Sequence, residues 1–362
     1  MPEAFKNVFN PEFVQELIGR IKSCYSDFDE ATFQALVFDD NWEARELKQR
    51  MRHISVCLRQ SLPENLSAAY DIIHQVAINF GEKMDIAPMV FPDFVEHYGL
   101  EHTDSLNLLE HLTRHSSSEF AVRPFIIQDQ DTVMSLMYDW AESDNYHVRR
   151  CASEGTRPRL PWAMALPALK KDPTPILPIL EQLKDDPELY VRRSVANNLN
   201  DIAKDNPDII ISCAKAWLGQ SKNIDWVVKH GCRTLLKQGH PEVLALFGFA
   251  PPEHLSVTDL KYDDSVSMGE ALNFSFELIS DATQPLGKLR LEFAIDFMKA
   301  NGKQARKVFQ ISEGTVHEKR KSVTKTFSFK PITTRKYYKG EHGLAILVNG
   351  VEMTHSSFLL CS

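Results

Sequence analysis

The chain has 362 residues, of which 43% are hydrophobic and 25% are charged, values that are ordinary for a globular protein with two domains. Its net charge of −8 argues at first against a nucleic-acid partner, and no apolar run approaches the roughly 18 residues of a membrane span. From Ser256 onward, however, 15 Lys and Arg residues face 12 Asp and Glu residues, so this part carries about +3 and the rest about −11, which makes local patches more informative than the total.

The cysteines and the N-terminus indicate where the protein works. The six cysteines are scattered without a Cys-x-x-Cys pair, which is typical of small buried side chains and of reduced thiols. The first residues, Met1-Pro-Glu-Ala, lack the apolar core of a signal peptide. We therefore expect a cytoplasmic protein.

Helical patterns follow one another from residue 11 to about residue 115. Pro11 follows Asn10 as a first-turn proline after a helix cap. The segment 41–54 predicts one long amphipathic helix in which Glu46 and Arg50 pair on the surface. These elements predict an all-α region.

Two short patterns follow. His111 and His115 stand at i, i+4, but no third ligand is near, so we expect neither a metal nor another cofactor. Next, Ser116-Ser-Ser-Glu119 resembles a helix start, in which Glu119 would be a capping-box acid. A role for Glu119 in a functional site is an equally open alternative.

Residues 145–203 contain the same sequence unit twice. Val148-Arg-Arg recurs as Val191-Arg-Arg, 43 positions later, and weakly as Val227-Val-Lys, 36 positions further on. A period of roughly 40 residues of paired helices is typical of HEAT-type α-solenoids. We therefore predict an all-α HEAT-like repeat domain over residues 1–252.

Aligning the copies places Arg150, Arg193 and Lys229 at equivalent positions, which predicts a row of cations on one face. Further cations in and after the copies are Arg149, Arg192, Arg157 and Arg159. We expect Arg157 and Arg159 to be exposed, because they lie in a loop stiffened by two prolines. Three carboxylates stand among these cations, those of Glu119, Glu154 and Asp201.

Proline marks the remaining helix starts. Asp172-Pro173, Asp186-Pro187 and Asn206-Pro207 each combine a cap residue with a proline suited to the first helical position. After Pro251-Pro252 the hydrophobic period changes from 3.6 to 2, which places a domain boundary there.

The last part predicts strands. Alternating segments are separated by turn residues, and Asn349-Gly350 between apolar runs is the strongest hairpin signal of the chain. About seven short strands predict an all-β immunoglobulin-like sandwich over residues 253–362. Its cations Lys319, Arg320 and Lys321 could protect an edge strand or contact phosphate, and both alternatives stay open.

Cations and carboxylates on one helical face predict a specific kind of target. The cations suit duplex DNA or RNA, whereas the carboxylates would repel phosphate unless they serve something positive. A base made cationic by alkylation is such a target, because rupture of its N-glycosidic bond develops positive charge on the sugar. An indole, that of Trp162, could add a cation–π contribution of up to about 2 kcal/mol.

The segments 118–125, 148–162 and 190–201 resemble the AlkC branch of the AlkC/AlkD alkylpurine DNA glycosylases, which are built from HEAT-like repeats. The resemblance covers most of residues 1–250, and the C-terminal sandwich is similar to the immunoglobulin-like domain of some AlkC members. It implies a monofunctional DNA repair glycosylase that excises 3-methyladenine and 3-methylcytosine from double-stranded DNA without flipping the base. No metal is implied.

By motif position, Glu119, Glu154 and Asp201 match the acidic residues of the active cleft and Trp162 matches the aromatic residue beside the lesion. Arg150 and Arg193 match basic cleft residues. Our hypothesis is that Glu154 is the principal catalytic carboxylate.

The alternative function is a HEAT-repeat scaffold that binds a protein or RNA without catalysis. In that case Glu154 would pair with Arg150 and Trp162 would belong to the core. In either case the sequence gives no reason to expect more than a monomer.

Overall fold

The structure, a computed structural model, describes residues 5–81, 86–281, 284–332 and 335–362. In these residues sixteen α-helices precede eight β-strands. The predicted order, a HEAT-like helical region followed by an all-β immunoglobulin-like sandwich, is confirmed. Among the described helices, none combines the length and the apolar composition needed to cross a membrane.

The helices fall into two groups. The first eight precede the repeat copies and are α1 (Pro11–Cys24), α2 (Glu30–Val37), α3 (Leu47–Ser61), α4 (Leu66–Phe80), α5 (Val90–Tyr98), α6 (Ser105–Thr113), α7 (Val122–Gln128) and α8 (Gln130–Ala141). The second eight are α9 (Tyr146–Gly155), α10 (Pro167–Lys171), α11 (Leu177–Leu183), α12 (Leu189–Ile202), α13 (Pro207–Trp217), α14 (Lys222–Gly231), α15 (Arg233–Lys237) and α16 (Pro241–Leu246).

The three repeat copies form helices α9, α12 and α14, and α12 packs against both of the others. Their equivalent valines, Val148, Val191 and Val227, are fully buried, as the repeat predicts. Close packing requires a glycine at one point, because a Cβ on Gly231 of α14 would lie 2.8 Å from the Cβ of Leu199 in α12.

The chain forms two compact units. One contains the residues up to Ile210 together with Trp217–Gly231, and the other contains Ile211–Ala216 together with Cys232–Ser362. The change from helix to strand falls between residues 246 and 255, around the predicted boundary at residue 252. Helices α15 and α16 belong to the same compact unit as the strands. That one domain ends at residue 252 therefore remains a prediction.

Helix α3 differs from the predicted helix over residues 41–54. It begins only at Leu47, because Glu46 and Gln49 form a reciprocal capping box in which the N–H of Glu46 donates to Gln49 Oε1 across 2.8 Å. Glu46 therefore does not pair with Arg50. The guanidinium of Arg50 binds Glu43 instead, across 3.1 Å.

Of the three prolines that were predicted to open helices, only Pro207 does so. Helix α12 begins at Leu189 and not at Pro187, because the carboxylate of Asp186 accepts the N–H of Glu188 and holds this segment in a turn. The third start, at Pro173, leads into a 3-10 turn over Thr174–Ile176 before α11.

The strands form two sheets. They are β1 (Leu255–Tyr262), β2 (Ser265–Ser267), β3 (Ala271–Ser280), β4 (Gly287–Met298), β5 (Gln304–Val316), β6 (Arg320–Ser328), β7 (Gly340–Val348) and β8 (Val351–Cys361). One sheet has the order β1-β3-β6 and the other β2-β8-β7-β4-β5. Alternate residues of β3, from Leu272 to Leu278, fill the core between the sheets.

The predicted hairpin at Asn349-Gly350 is confirmed. It joins β7 to β8, and both of its residues have positive φ, 48° and 79°. Positive φ at both central residues is what the two-residue turn needs in order to match the twist of the strands.

A candidate active site of carboxylates and arginines

Arg157 joins two of the three carboxylates that the sequence singled out. Its Nη1 donates to Glu154 Oε1 across 2.6 Å, and its Nε donates to Asp201 Oδ2 across 2.8 Å. All three side chains are buried, so the prediction of an exposed Arg157 is wrong. The reason is local: the N–H of Arg157 donates to the carbonyl of Glu154, so the chain turns directly after α9 and the guanidinium points back to α12.

Arg150 brings in the third carboxylate. Its guanidinium lies 3.3 Å from Glu119 and 3.8 Å from Glu154, and it stacks over the ring of Tyr190 at 4.6 Å. Burial lowers the pKa of Arg150, but the charges of Glu119 and Glu154 outweigh burial and hold that pKa above its ordinary value. Arg150 is therefore a permanent cation shared by two carboxylates.

Glu119 lies in the turn before α7 and is not a capping-box acid, because the helix begins at Val122 with Ala121 as its cap. The end of α9 approaches this turn closely: a Cβ on Gly155 would lie 2.7 Å from Val122 Cγ2. Glu119 Oε2 is buried and accepts no hydrogen bond from the described residues. This oxygen lies 3.3 Å from Arg150 Nη1 in an ion pair, so it is partnered by charge but not by a hydrogen bond.

Ser194 of α12 holds the other side of Glu154. Its hydroxyl donates to Glu154 Oε2 across 2.6 Å, while Arg157 occupies Oε1, so both oxygens of Glu154 have a donor. Sequence reasoning missed Ser194. Its signal was a small polar residue beside the apolar stripe that begins at Val191, a position where a helix turned to the core would otherwise carry an apolar side chain.

Asp201 is the most deeply buried of the three carboxylates, with 2% of its surface exposed. Oδ1 accepts from Lys204 Nζ across 2.8 Å, and Oδ2 accepts from Arg157. Arg193 of the same helix is exposed and is not among the described residues that pair with Asp201. Asp201 is thus oriented by Arg157 and Lys204.

Trp162 is exposed. The alternative prediction, that Trp162 belongs to the core, is therefore wrong. The residue shows 69% of its surface, and its φ of 65° lies in the left-handed region. For a residue other than glycine this conformation costs about 1–2 kcal/mol. Such a conformation persists only where the surrounding structure holds it.

Arg149 and Arg192, proposed from the sequence as DNA-binding residues, are engaged within the helical unit. Arg149 forms two hydrogen bonds with the carboxylate of Asp186, of 2.6 and 3.1 Å. Arg192 donates to the main-chain carbonyls of Asp186 and Pro187. Both guanidinium groups stabilise the starts of repeat helices. To bind DNA, Arg149 and Arg192 would have to give up these hydrogen bonds.

The remaining predicted cations of the helical unit are on the surface. Arg193 and Lys229 are exposed at positions equivalent to Arg150. Arg159 is exposed as predicted and forms a two-pronged ion pair with Asp205, of 2.6 and 2.7 Å. These side chains lie at the surface, where phosphate groups could reach them.

The predicted cations of the second unit lie at the start of β6, an edge strand of its sheet within the described residues. Lys319 and Arg320 are exposed and Lys321 is partly buried. Arg320 pairs with Glu277 of β3 across 3.1 Å. This placement fits edge protection and phosphate contact equally, so the alternative stays open.

The charges in the site nearly balance. Glu119, Glu154 and Asp201 carry three negative charges, Arg150 and Arg157 carry two positive ones, and the buried guanidinium of Arg123 is close enough to Asp201 and Glu154 for their charges to act on it. Lys204 also pairs with Asp201, but its side chain is partly exposed to solvent and therefore screened. The arrangement can therefore favour a nearby positive charge through carboxylate oxygens that face it, and not through a net negative charge.

Comparisons with known proteins agree with this picture. Residues 43–222 match the family model described as DNA alkylation repair enzyme, and residues 256–362 match the C-terminal Ig-like domain of the uncharacterised protein YhaZ. The Bacillus subtilis protein YhaZ is 44% identical over 98% of this chain and 99% of its own length. The solved structure of Pseudomonas fluorescens alkylpurine DNA glycosylase AlkC, bound to DNA containing an abasic site analog, is similar over 99% of this chain and 100% of that chain, with 32% identity and a TM-score of 0.94.

Proposed function

The chain belongs to the DNA alkylation repair glycosylases of the AlkC/AlkD type, and from this premise we propose that it hydrolyses the N-glycosidic bond of cationic alkylated bases in duplex DNA. The proposed substrates are 3-methyladenine and 3-methylcytosine. One observation carries the proposal: three buried carboxylates are gathered by two arginines beside the loop that bears an exposed tryptophan.

The bond that breaks joins C1′ of the deoxyribose to a ring nitrogen of the base. The base leaves with the bonding electron pair and becomes neutral, because its alkylated ring was already positive. The sugar is left with positive charge shared between C1′ and the ring oxygen. Water adds to C1′ and releases a proton, so the products are the free base and an abasic site, with no covalent intermediate on the protein.

We propose that Glu154 stabilises the positive sugar. Arg157 and Ser194 fix its two oxygens, so its charge is oriented before the reaction and needs no rearrangement during it. Asp201 binds the same Arg157 and adds its negative charge to the electric field that acts on the sugar. A carboxylate held in this way acts through its charge and does not need to become a nucleophile.

Glu119 is suited to a different task. Its Oε2 accepts no hydrogen bond from the described residues, although it lies 3.3 Å from Arg150 Nη1 in an ion pair, so this oxygen can still accept from a further donor. We propose that the attacking water donates to this oxygen and gives up its proton there. Arg150, whose two terminal nitrogens each lie 3.3 Å from one oxygen of Glu119, orients the carboxylate for this role.

Trp162 would contact the lesion. A cationic base beside the indole gains up to about 2 kcal/mol of cation–π energy when water is excluded, whereas a neutral base gains none of it. This contact requires no enclosed pocket and is compatible with a lesion that stays stacked in the duplex. We propose that exposed cations, among them Arg159, Arg193 and Lys229, contact the phosphates, together with Lys319, Arg320 and Lys321 if the sandwich domain touches DNA.

The test is an assay of released bases. Full-length protein is incubated with duplex DNA that carries 3-methyladenine or 3-methylcytosine, and the free bases and abasic sites are measured. We expect equal amounts of free base and abasic site, with no strand cleavage by the protein. If no base is released while the protein binds another protein or RNA, the non-catalytic scaffold replaces this proposal.

A further inference from the structure

Arg123 is a fully buried guanidinium with an unusual set of partners. Its side chain has no exposed surface, and its hydrogen bonds go to three main-chain carbonyls. Nε donates to Met164 across 2.7 Å, while Nη1 donates to Gly155 and Arg157 across 2.9 and 2.8 Å. The remaining nitrogen, Nη2, is buried without an acceptor in the described part of the chain.

No carboxylate accepts a hydrogen bond from Arg123 within the described residues, which makes its charge expensive to bury. Burial and the nearby charge of Arg157 lower the pKa of Arg123 to about 10, while the charges of Asp201 and Glu154 act in the opposite direction. An apolar side chain of similar size would fill the same space at lower cost. The compensation for burying the guanidinium therefore lies in the carbonyl groups that it binds and in these two nearby carboxylates.

Those carbonyls belong to one segment, loop 155–164, which begins at the last residue of α9 and runs to Met164. The loop carries Arg157, which bridges two carboxylates of the site, and Trp162, which is exposed at positive φ. Arg123 binds the loop at its start and just beyond Trp162. A second cation binds between these points: Lys48 of α3 donates to the carbonyl of Trp162 across 2.8 Å and lies over the ring of Phe120.

We propose that Arg123 is the positioning residue of the active site, which together with Lys48 holds loop 155–164 in the conformation that presents Trp162 and turns Arg157 inward. An unfavourable φ persists only where the surroundings fix it, and these two side chains supply the fixed points. The inference rests on the proposed function, since it assigns Trp162 and Arg157 to the reaction. Arg123 itself touches no substrate.

The first measurement is independent of catalysis. The chain has five tryptophans, so full-length protein made with 5-fluorotryptophan gives five ¹⁹F NMR signals, and the Trp162→Phe and Trp42→Phe variants assign two of them. We expect Arg123→Met to shift or broaden the Trp162 signal and to leave the Trp42 signal in place. Arg123→Lys should act in the same direction, because one ammonium cannot reach three carbonyls in the fork geometry of a guanidinium.

Arg50→Met is the matched control. Arg50 is also buried, also donates to a main-chain carbonyl, that of Phe9, and lies over the ring of Trp42 at 4.6 Å. We expect its replacement to change the Trp42 signal and to leave the Trp162 signal unchanged. This reciprocal pattern separates positioning of the loop from general loss of stability.

The second measurement is excision of methylated bases. We expect Arg123→Met to lower kcat by about 100-fold through misplacement of the loop, with affinity for abasic-site DNA retained. If Arg123→Met does not fold, Lys48→Met decides, since Lys48 is exposed and its loss should also move the Trp162 signal. An unchanged Trp162 signal in the folded variants overturns the inference. Absence of excision by the unsubstituted protein overturns the proposed function, and the NMR result still decides whether Arg123 positions the loop.

Discussion

The hydroxyl of Ser194 donates a hydrogen bond to Oε2 of Glu154 across 2.6 Å and so connects two successive repeat helices at a carboxylate. Because Arg157 occupies the other oxygen, the carboxylate of Glu154 has one preferred orientation. A residue that the repeat would assign to packing, Ser194, thus also orients the carboxylate of Glu154.

Ser194→Ala should lower kcat about tenfold, because Glu154 can then rotate out of the position in which its charge faces the sugar. A hydrogen bond to a charged group also contributes about 2 kcal/mol to folding, so the free energy of unfolding should fall. Ser55→Ala is the control, since Ser55 is a buried helix serine that donates to the carbonyls of Met51 and Val90. Equal kcat losses in both variants would contradict a positioning role for Ser194.

Arg157→Met should destabilise the protein by about 3–5 kcal/mol, since it leaves the buried carboxylates of Glu154 and Asp201 without their shared partner. Arg159→Met, two residues later, removes a partly exposed ion pair and should cost at most about 1 kcal/mol. Urea unfolding measures both. Addition of Asp201→Asn to Arg157→Met should recover part of the loss, and an additive double variant would show that the two residues do not interact.

Substitutions of Trp162 should change the stability of the protein and its activity in different directions. Trp162→Gly removes the conflict between a side chain and positive φ and should raise the free energy of unfolding by about 1 kcal/mol, while excision is lost. Trp162→Phe keeps an aromatic face and should retain part of the activity. Thermal unfolding and base release are the measurements, and full activity of the glycine variant would leave the indole without a role in catalysis.

The edge-strand cations can be tested through salt dependence. We replace Lys319, Arg320 and Lys321 by glutamine and measure how the logarithm of the DNA association constant falls with the logarithm of the salt concentration. The slope should become less steep by about 0.9 for each DNA phosphate that these side chains neutralise in the native complex. The control replaces three exposed lysines of the same unit, Lys299, Lys303 and Lys330. An unchanged slope combined with aggregation of the first variant would show that these residues protect the edge of β6 instead.

The sequence was sufficient for features that repeat or that depend on local backbone chemistry. The period from Val148 to Val191 predicted the packed helices α9 and α12, and Asn349-Gly350 predicted the hairpin, because only a few residue types accept positive φ there. The sequence also singled out Glu154 and Asp201 as carboxylates among the cations of this region, and both bind the guanidinium of Arg157.

Features that depend on the path of a loop could not be predicted in the same way. Arg157 lies in a loop that contains two prolines, which suggested exposure, but the turn after α9 directs it inward. Pro187 does not open α12, because the carboxylate of Asp186 accepts the N–H of Glu188, and the same carboxylate is held by Arg149, 37 positions away. Long-range partners of this kind leave no periodic signal in the chain.

The central claim is that the charge of Glu154 stabilises the sugar from which an alkylated base departs. Glu154→Gln keeps the shape and an acceptor for Arg157 but removes the charge, so single-turnover excision of 3-methyladenine should fall by about 100-fold or more while affinity for the same duplex is retained. Excision at the unsubstituted rate by a folded Glu154→Gln variant would contradict the claim.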